Sequence, residues 1–240
     1  MTLFLYQTDC YLKTFQARVK VVDSQARSII LDQTAFYPGG GGQPNDLGWI
    51  TAGGTRFDVT GVKKIGGEAV HFLSGDATLP DEGTEIQGEI DWERRYRLMR
   101  THTAMHILCG VVFRDYGALV TGGDMEPLKG RMDFEFESLQ KEFVAVIEAA
   151  VNKEIAQARP ISVAILDREE AFKIPDLIRT KINLLPEGIQ QVRVVRIEGL
   201  DLQADGGTHV HNTSEVGGVR VVDYKSKGKI NKRIYLEVID

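Results

Sequence analysis

Residues 1–90 alternate short runs of β-branched and apolar residues with turn residues, a pattern typical of antiparallel strands. The predicted strands, each followed by a glycine, proline or aspartate turn, are 17–22, 28–34, 48–52, 56–62, 69–73 and 85–90. Short strands at this spacing suit a small barrel, because closure removes the exposed edges of an open sheet. We therefore expect an N-terminal antiparallel β-barrel domain over residues 1–90.

After residue 90 the pattern changes to mixed helices and strands. Residues 94–114 contain no proline and repeat apolar residues at spacings of three and four, which predicts a helix. A second helix is predicted from Ser138, a suitable N-cap, to a point before Pro160. Its predicted apolar face comprises Phe143, Val146, Ile147, Ala150, Val151 and Ile155.

The remaining predicted elements are strands at 131–137, 162–166, 191–198, 219–225 and 233–238 and a short helix at 168–173. Helices and strands in this order predict an α/β sandwich over residues 91–240, with helices packed on a sheet. The whole chain is therefore expected to be α+β, a barrel followed by this second domain.

Two short segments, far apart in the sequence, hold three of the five histidines. On a helix, His102 and His106 stand one turn apart on one face. The second segment, Asp205-Gly-Gly-Thr-His209, is a glycine turn with a metal-ligating residue type at each end. Neutral imidazoles bind Zn(II) at roughly 2 Å, so the two segments together predict one metal site. The alternative is that the helical pair is partly buried, hydrogen-bonded histidine at chance spacing.

Neighbouring residues limit the kind of site. Thr103 occupies the position where a zincin carries its glutamate base, so the helix is not a zincin motif. Cys109 lies seven residues from His102, about 10 Å along a helix, so one ion cannot bind both. We expect Cys109 to be a buried structural thiol. His211 is expected at the rim of the site.

Three motifs in this order resemble those of the alanyl-tRNA editing proteins, the freestanding AlaX family related to the editing domain of alanyl-tRNA synthetase. They are the HxxxH segment, the Gly-Gly-Thr-His-Val segment with the following residues 213–217, and the segment Tyr37-Pro-Gly-Gly-Gly-Gly-Gln-Pro44. The resemblance covers nearly the whole chain and is closest to the medium-sized form, which has an added N-terminal barrel. It implies ATP-independent hydrolysis of the ester of alanine tRNA mischarged with serine, and in some members with glycine, in the service of translation fidelity.

The resemblance implies that His102, His106 and His209 are zinc ligands. The related proteins usually carry a cysteine where this chain has Asp205. A carboxylate binds zinc, which gives a His3Asp site with Asp205 at its catalytic corner. Alternatively Asp205 orients a water or a histidine from outside the coordination shell. A third reading is weakened zinc binding.

The segment Thr121-Gly-Gly-Asp124 also matches the family's pattern around its pocket. The Thr121 hydroxyl is our candidate for hydrogen bonding the serine side chain of a mischarged ester, since a polar site discriminates well between substrates with and without a hydroxyl. Its alternative is a turn threonine that bonds local backbone. The glycine run 39–42 lacks the Gly-Lys-Ser/Thr ending of a P-loop and is expected to be a turn; the resemblance places it near the editing site or its tRNA.

The formal net charge of -5 argues mildly against a general nucleic-acid binder, but phosphate contacts depend on local charge. One basic cluster comprises Arg94, Arg95, Arg97 and Arg100, and the other Arg220, Lys225, Lys227, Lys229, Lys232 and Arg233. Each is either an ordinary solvated face or a tRNA contact. The tRNA-binding candidates are Arg97, Arg100, Lys225, Lys227, Lys229 and Lys232.

The sequence has no apolar run of about 18 residues and no signal-peptide pattern, so no membrane association is expected. Two cysteines, Cys10 and Cys109, are too few for a disulfide scaffold, which suits the cytoplasm. The leading hypothesis is an aminoacyl-tRNA deacylase. The alternatives are a noncatalytic zinc-containing tRNA-binding module and a zinc hydrolase of small esters.

Overall fold

A computed structural model of the chain describes residues 1–136, 141–181, 185, 188–228 and 230–240. The chain divides into two compact units, Met1–Tyr96 and Arg97–Asp240. The sequence placed the boundary after residue 90, whereas this division falls inside a helix that begins at Trp92. Ser138, the predicted N-cap, and Glu137, the end of a predicted strand, lie outside the described residues.

The first unit is built around a closed antiparallel barrel, as the sequence predicts. Its strands are β1 (Leu3–Phe4), β2 (Thr14–Asp23), β3 (Ser28–Leu31), β4 (Gln33–Thr34), β5 (Gly48–Ala52), β6 (Thr55–Ile65), β7 (Glu68–Leu73) and β8 (Glu85–Ile90). The barrel runs β2-β3-β7-β6-β5-β8, with β8 paired back to β2. The short strands β1 and β4 pair with each other in parallel.

The barrel interior follows from the two-residue period of the strands. Buried and exposed side chains alternate along β2 and β8, so that one set points inward. Phe15, Leu31, Phe36 and Ile50 are among the apolar residues of this core. A Cβ atom at Gly88 would lie 2.3 Å from the Phe15 ring, so the packing of Phe15 requires glycine at that position.

A histidine lies in the same core. His71 on β7 is fully buried; its Nε2 is 2.9 Å from the Thr34 hydroxyl and its Nδ1 is 3.3 Å from the Ile29 carbonyl oxygen. Burial lowers the pKa of His71 to about 4, although hydrogen bonds to backbone oppose the shift. His71 is therefore a neutral core residue of the barrel.

Arg95 forms a buried ion pair with Asp46 within the first unit. Its Nε donates to both Asp46 oxygens at 2.9 and 3.0 Å, and its terminal nitrogens donate to the carbonyls of Cys10 and Ala35. Asp46 also accepts the backbone N–H of Tyr37 at 2.6 Å. Because Arg95 is wholly buried, the expectation that it belongs to a basic surface cluster is wrong.

The glycine run that follows Tyr37 is a turn, as expected. Gly40 and Gln43 exchange backbone hydrogen bonds of 3.0 and 2.9 Å, and the Tyr37 hydroxyl donates to the Gly40 carbonyl. Residues 39–42 all have positive φ, a conformation that glycine adopts without strain.

Helix α1 (Trp92–Tyr116) confirms the helix predicted at 94–114. Its start is capped by Asp91, whose carboxylate accepts the N–H of Arg94 at 3.1 Å. Gly117, at φ 66°, ends it by donating its N–H to the Phe113 carbonyl. Residues 101–112 are buried on every side, including the polar ones, so this stretch lies inside the second unit.

The second unit adds two sheets and further helices, which confirms the α+β class. After α1 come β9 (Val120–Glu126), β10 (Lys129–Glu135), α2 (Lys141–Ala156), β11 (Ile161–Asp167), α3 (Arg168–Ala171), β12 (Gln191–Ile197), β13 (Asp201–Ala204), a 3-10 turn at Thr213–Val216, β14 (Gly218–Ser226) and β15 (Asn231–Ile239). One sheet has the order β14-β15-β10-β9 and the other β11-β12-β13. No helix among the described residues is both long and apolar enough to cross a bilayer.

The buried face of α2 differs from the predicted one. Its buried residues are Val144, Ile147, Val151, Glu154 and Ile155, whereas Phe143 and Val146 are exposed by 41% and 58%. Polar contacts explain the rotation: Asn152 bonds both backbone groups of Val219 on β14, and Glu148 accepts the N–H of Val221. An apolar count from sequence does not include such side-chain bonds to a neighbouring strand.

Candidate metal centre

One side of helix α1 packs closely against strand β10, and the two histidines of the helix lie away from that contact. A Cβ atom on Gly130 of β10 would lie 2.9 Å from the Met105 sulfur and 3.4 Å from the Thr101 methyl group, so α1 approaches β10 closely at glycine. His102 and His106 directly follow Thr101 and Met105 in the sequence, and both face the loop that follows β13. Both are almost completely buried.

That loop is the predicted glycine turn, and it is fixed at both ends. The Oδ1 atom of Asp205 accepts the N–H of Gly207 at 2.6 Å, and the Asp205 backbone exchanges bonds with Arg193 on β12. Beyond the turn, Val210 donates its N–H to the Thr103 hydroxyl on α1 at 3.2 Å. Thr103 thus ties the loop to the helix that carries the other two histidines.

The loop and helix bring four side chains together as one group: His102, His106, Asp205 and His209. One ligand atom of each lies within 4.8 Å of all the others. The Asp205 carboxylate lies 3.5 Å from Nε2 of His102, 3.7 Å from that of His106 and 3.9 Å from that of His209. In a tetrahedral zinc site with bonds of about 2 Å, ligand atoms are roughly 3.3 Å apart, so these separations are close to those of a zinc shell.

The histidine on the loop supports a metal-binding interpretation. His209 is 2% exposed, and within the described residues neither of its ring nitrogens has a hydrogen-bond partner. Its ring stacks on that of His102 with centroids 4.2 Å apart. A buried polar atom without a partner is costly, and coordination of an ion removes that cost. The residues present therefore fit a divalent metal ion.

The electrostatics of three members suit ligation. Burial lowers the pKa of His102 and of His209, and the two other histidines lower that of His209 further, which favours the neutral form of both rings. Burial opposes ionisation of Asp205, but its histidine neighbours outweigh burial and hold the pKa of the carboxyl well below its usual range. Neutral imidazoles and an ionised carboxylate are the forms that bind metal.

The fourth member, His106, has a carboxylate behind it. Its Nδ1 lies 3.1 Å from Oδ2 of Asp201, a residue whose side chain is fully buried. Burial alone lowers the pKa of His106, but the bonds to Asp201 and Asp205 outweigh it and raise the pKa to about 9. Sequence reasoning missed Asp201. The two-residue period of β13 was the available indication, because it puts Asp201, Gln203 and Asp205 on one side of the strand.

Three other candidates lie outside this group. Thr121 is on β9, exposed, with its hydroxyl donating to Asn231 at 2.7 Å. Cys109 is buried, and burial raises the pKa of its thiol, as expected for a structural cysteine. His211 is exposed, consistent with a position at the rim.

The basic candidates differ in their exposure and in the contacts that the structure shows for them. Arg97 and Lys227 are exposed, and Lys225 pairs with Asp223 at 3.0 Å. Arg100 donates to the carbonyls of Val216 and Ile239 and to Asp240. Lys232 is buried, with its ammonium on the Gly228 carbonyl at 2.8 Å. Lys229 lies outside the described residues.

Comparison with known proteins identifies the family. Residues 6–94 match the family model "tRNA synthetases class II (A)", and residues 192–235 match "Threonyl and Alanyl tRNA synthetase second additional domain". The chain is 38% identical to the alanyl-tRNA editing protein AlaX-M of Methanosarcina barkeri over 100% of both chains, and 41% identical to that of Saccharolobus solfataricus over 99% of both. It is also 40% identical, over 91% of its length, to 24% of the alanine–tRNA ligase of Ignicoccus hospitalis. The chain therefore belongs to the alanyl-tRNA editing protein AlaX-M family.

Proposed function

We propose that this protein is a trans-editing hydrolase that cleaves the aminoacyl ester of alanine tRNA mischarged with serine, and also with glycine. The observation that supports this proposal most strongly is the buried group of His102, His106, Asp205 and His209, in a chain that matches the AlaX-M proteins over its full length. Such a deacylase acts where charged tRNA is used, so we expect it in the cytoplasm.

We propose Zn(II) as the cofactor, held by the four residues of the group. Three imidazoles and one carboxylate are ligands that zinc accepts in a four-coordinate site. When bound, zinc supplies a Lewis acid for ester hydrolysis. The chain's own contribution is to hold the donors in place before binding, through the Thr103 contact to the loop and the Gly207 contact to Asp205.

Asp205 also indicates where the ester approaches. Its side chain is 18% exposed, whereas those of His102, His106 and His209 are exposed by 1–7%. The adjacent Gly206 is exposed, and a Cβ atom there would meet nothing within 4 Å. We propose that the terminal adenosine and its aminoacyl ester enter on the Asp205 side, and that Asp205 is the catalytic carboxylate at this opening.

For serine recognition we propose Thr121. Its hydroxyl donates to Asn231, which leaves its oxygen lone pairs able to accept a hydrogen bond from a serine hydroxyl. Alanine has no side-chain hydroxyl and cannot make this hydrogen bond. The site would therefore bind correctly charged alanyl-tRNA less tightly than the serine-charged form.

For tRNA binding we propose that the exposed cations Arg97, Lys225 and Lys227 contact phosphate, with Arg100 and Lys229 as further candidates. Lys232 is left out of this set because it is buried, with its ammonium on the Gly228 carbonyl. Such contacts position a nucleic acid without reading its sequence. Local charge of this kind is compatible with the net charge of -5.

Deacylation of purified serine-charged alanine tRNA tests the proposal. We expect the wild-type protein to hydrolyse it far faster than His102→Ala, and His211→Ala, a nearby exposed histidine, to match the wild type. Equal deacylation rates for wild type and His102→Ala would refute the editing proposal. Glycine- and alanine-charged tRNA measured in parallel gives the substrate preference.

The same assay separates the alternatives. A noncatalytic tRNA-binding module predicts tight tRNA binding without turnover. A hydrolase of small esters, which the acidic net charge favours, predicts salt-insensitive cleavage of a free amino-acid ester with no preference for tRNA.

A further inference from the structure

We infer that Asp201 is a positioning residue for the metal centre: its carboxylate fixes the Nδ1–H tautomer of His106 and so directs Nε2 at the ion. This inference rests on the proposed zinc site. Asp201 lies on β13, outside the four-residue group, and contacts α1 within the second unit.

The two ring nitrogens of His106 face two different carboxylates. Nδ1 lies 3.1 Å from Asp201, and Nε2 lies 3.7 Å from Asp205 within the ligand group. A neutral imidazole has one N–H, and an ionised carboxylate only accepts, so the closer carboxylate decides which nitrogen keeps the proton. With the proton on Nδ1, the lone pair of Nε2 is free for the ion.

Asp201 is itself held from two sides. Gln203 donates its amide to Oδ2 at 2.7 Å, and Nε of Arg179 lies 3.5 Å from Oδ1. The Arg179 guanidinium rests 3.7 Å from the centre of the Phe113 ring on α1. A buried carboxylate needs a countercharge, and Arg179 supplies one on the side away from His106.

Helix α1 makes room for this carboxylate at a glycine. Gly110 follows His106 by one turn, and a Cβ atom there would lie 3.2 Å from Cβ of Asp201 and 3.0 Å from Cγ of Leu200. Glycine inside a helix costs about 1 kcal/mol relative to alanine. At this position its small size lets Asp201 reach the helix next to His106.

Zinc affinity, measured by competition with a chromophoric chelator, tests the inference first. Asp201→Leu removes the acceptor, and we expect a 10- to 100-fold weaker affinity, as for other outer-shell partners of metal-bound histidine. Asp201→Asn keeps an acceptor oxygen, so its affinity falls between those of Asp201→Leu and wild type. The same two changes at Asp133, another buried aspartate with a basic partner, are the controls and leave zinc affinity unchanged.

Gly110→Ala provides a variant that does not weaken the helix. The new methyl group pushes Asp201 away from His106 while alanine favours the helix. We expect weaker zinc binding, while the metal-free protein still unfolds cooperatively in urea, because the gain in helix propensity opposes the cost of packing the new methyl group against Leu200 and Asp201. Zinc affinities of Asp201→Leu and Gly110→Ala within twofold of wild type would overturn the inference.

The tautomer itself is measured by long-range 1H–15N spectra of the metal-free protein with His106 neutral. We expect the Nδ1–H form in wild type and in Asp201→Asn, and its loss in Asp201→Leu. An Nε2–H form in wild type refutes the role of Asp201 whether or not the protein binds zinc. Failure of the wild type to bind zinc, by contrast, refutes the proposed metal site.

Discussion

Gly207 holds one oxygen of Asp205 and leaves the other facing His102 and His106. Oδ1 accepts the Gly207 N–H at 2.6 Å, and Oδ2 lies 3.5 Å from Nε2 of His102 and 3.7 Å from that of His106. The turn therefore fixes the carboxylate in the free protein. A preordered ligand loses little conformational entropy when an ion binds.

Replacement of Asp205 tests whether it is a ligand. Asp205→Asn keeps the Gly207 bond but removes the charge, and we expect zinc affinity to fall by more than about 100-fold, beyond the usual effect of an outer-shell change. Asp205→Cys supplies a thiolate and is expected to retain zinc. If Asp205→Asn binds zinc as tightly as wild type in a chelator competition, Asp205 acts from outside the coordination shell.

The buried pair of Arg95 and Asp46 makes a prediction about the stability of the first unit. Arg95→Met leaves the Asp46 carboxylate buried without its partner, and we expect the free energy of unfolding to fall by about 3–5 kcal/mol. The double change Arg95→Met with Asp46→Leu is expected to cost less. Both tryptophans, Trp49 and Trp92, belong to this unit, so their fluorescence during urea unfolding reports it directly. A single variant as stable as wild type would contradict the argument.

His71 predicts a pH dependence of barrel stability. Its pKa is lowered by burial from 6.5 to about 4 in the folded state, so between these values the unfolded chain binds more protons. Stability is therefore lost as the pH falls from about 6.5 towards 4, by about 2 kcal/mol at pH 5. His71→Gln lacks this titration, and the difference between its urea midpoint and that of wild type is expected to change with pH. A constant difference from pH 8 to pH 5 would rule out a buried neutral histidine.

The exposed cations make a prediction about tRNA binding. We expect Arg97→Ala and Lys227→Ala each to weaken binding and to reduce the slope of log affinity against log salt by about one. Lys173→Ala, an exposed lysine already paired with Glu170, is the control and leaves the slope unchanged. Filter binding across a potassium chloride series measures both quantities. Unaltered slopes in both variants would show that these residues do not touch phosphate.

The elements that the sequence predicted well are those whose pattern is local. The barrel strands and α1 follow from periodicity, and helical spacing plus a glycine turn indicated the four residues that the fold brings together. The errors arise where long-range polar contacts decide the outcome. Asn152 and Glu148 rotate α2 by bonding β14, and Arg95 is drawn inside the first unit by Asp46.

The proposed role of Asp201 also depends on a long-range polar contact that the sequence does not reveal. In the sequence it is one acid among 34 aspartates and glutamates, and only its contact with His106 distinguishes it. Asp133 also has a partner on a neighbouring strand: Arg233 on β15 donates to it with two bonds of 2.6 and 2.7 Å, in addition to a 3.8 Å ion pair with Arg131 on its own strand. Partners from distant strands cannot be chosen from one sequence alone.

Zinc titration of the metal-free protein, with deacylation of serine-charged alanine tRNA as the readout, measures whether hydrolysis requires an ion at the four-residue group. We expect negligible activity without metal, a linear rise to one equivalent of zinc, and no rise in His209→Ala. Full activity of the metal-free protein, or equal restoration in His209→Ala, would contradict this requirement.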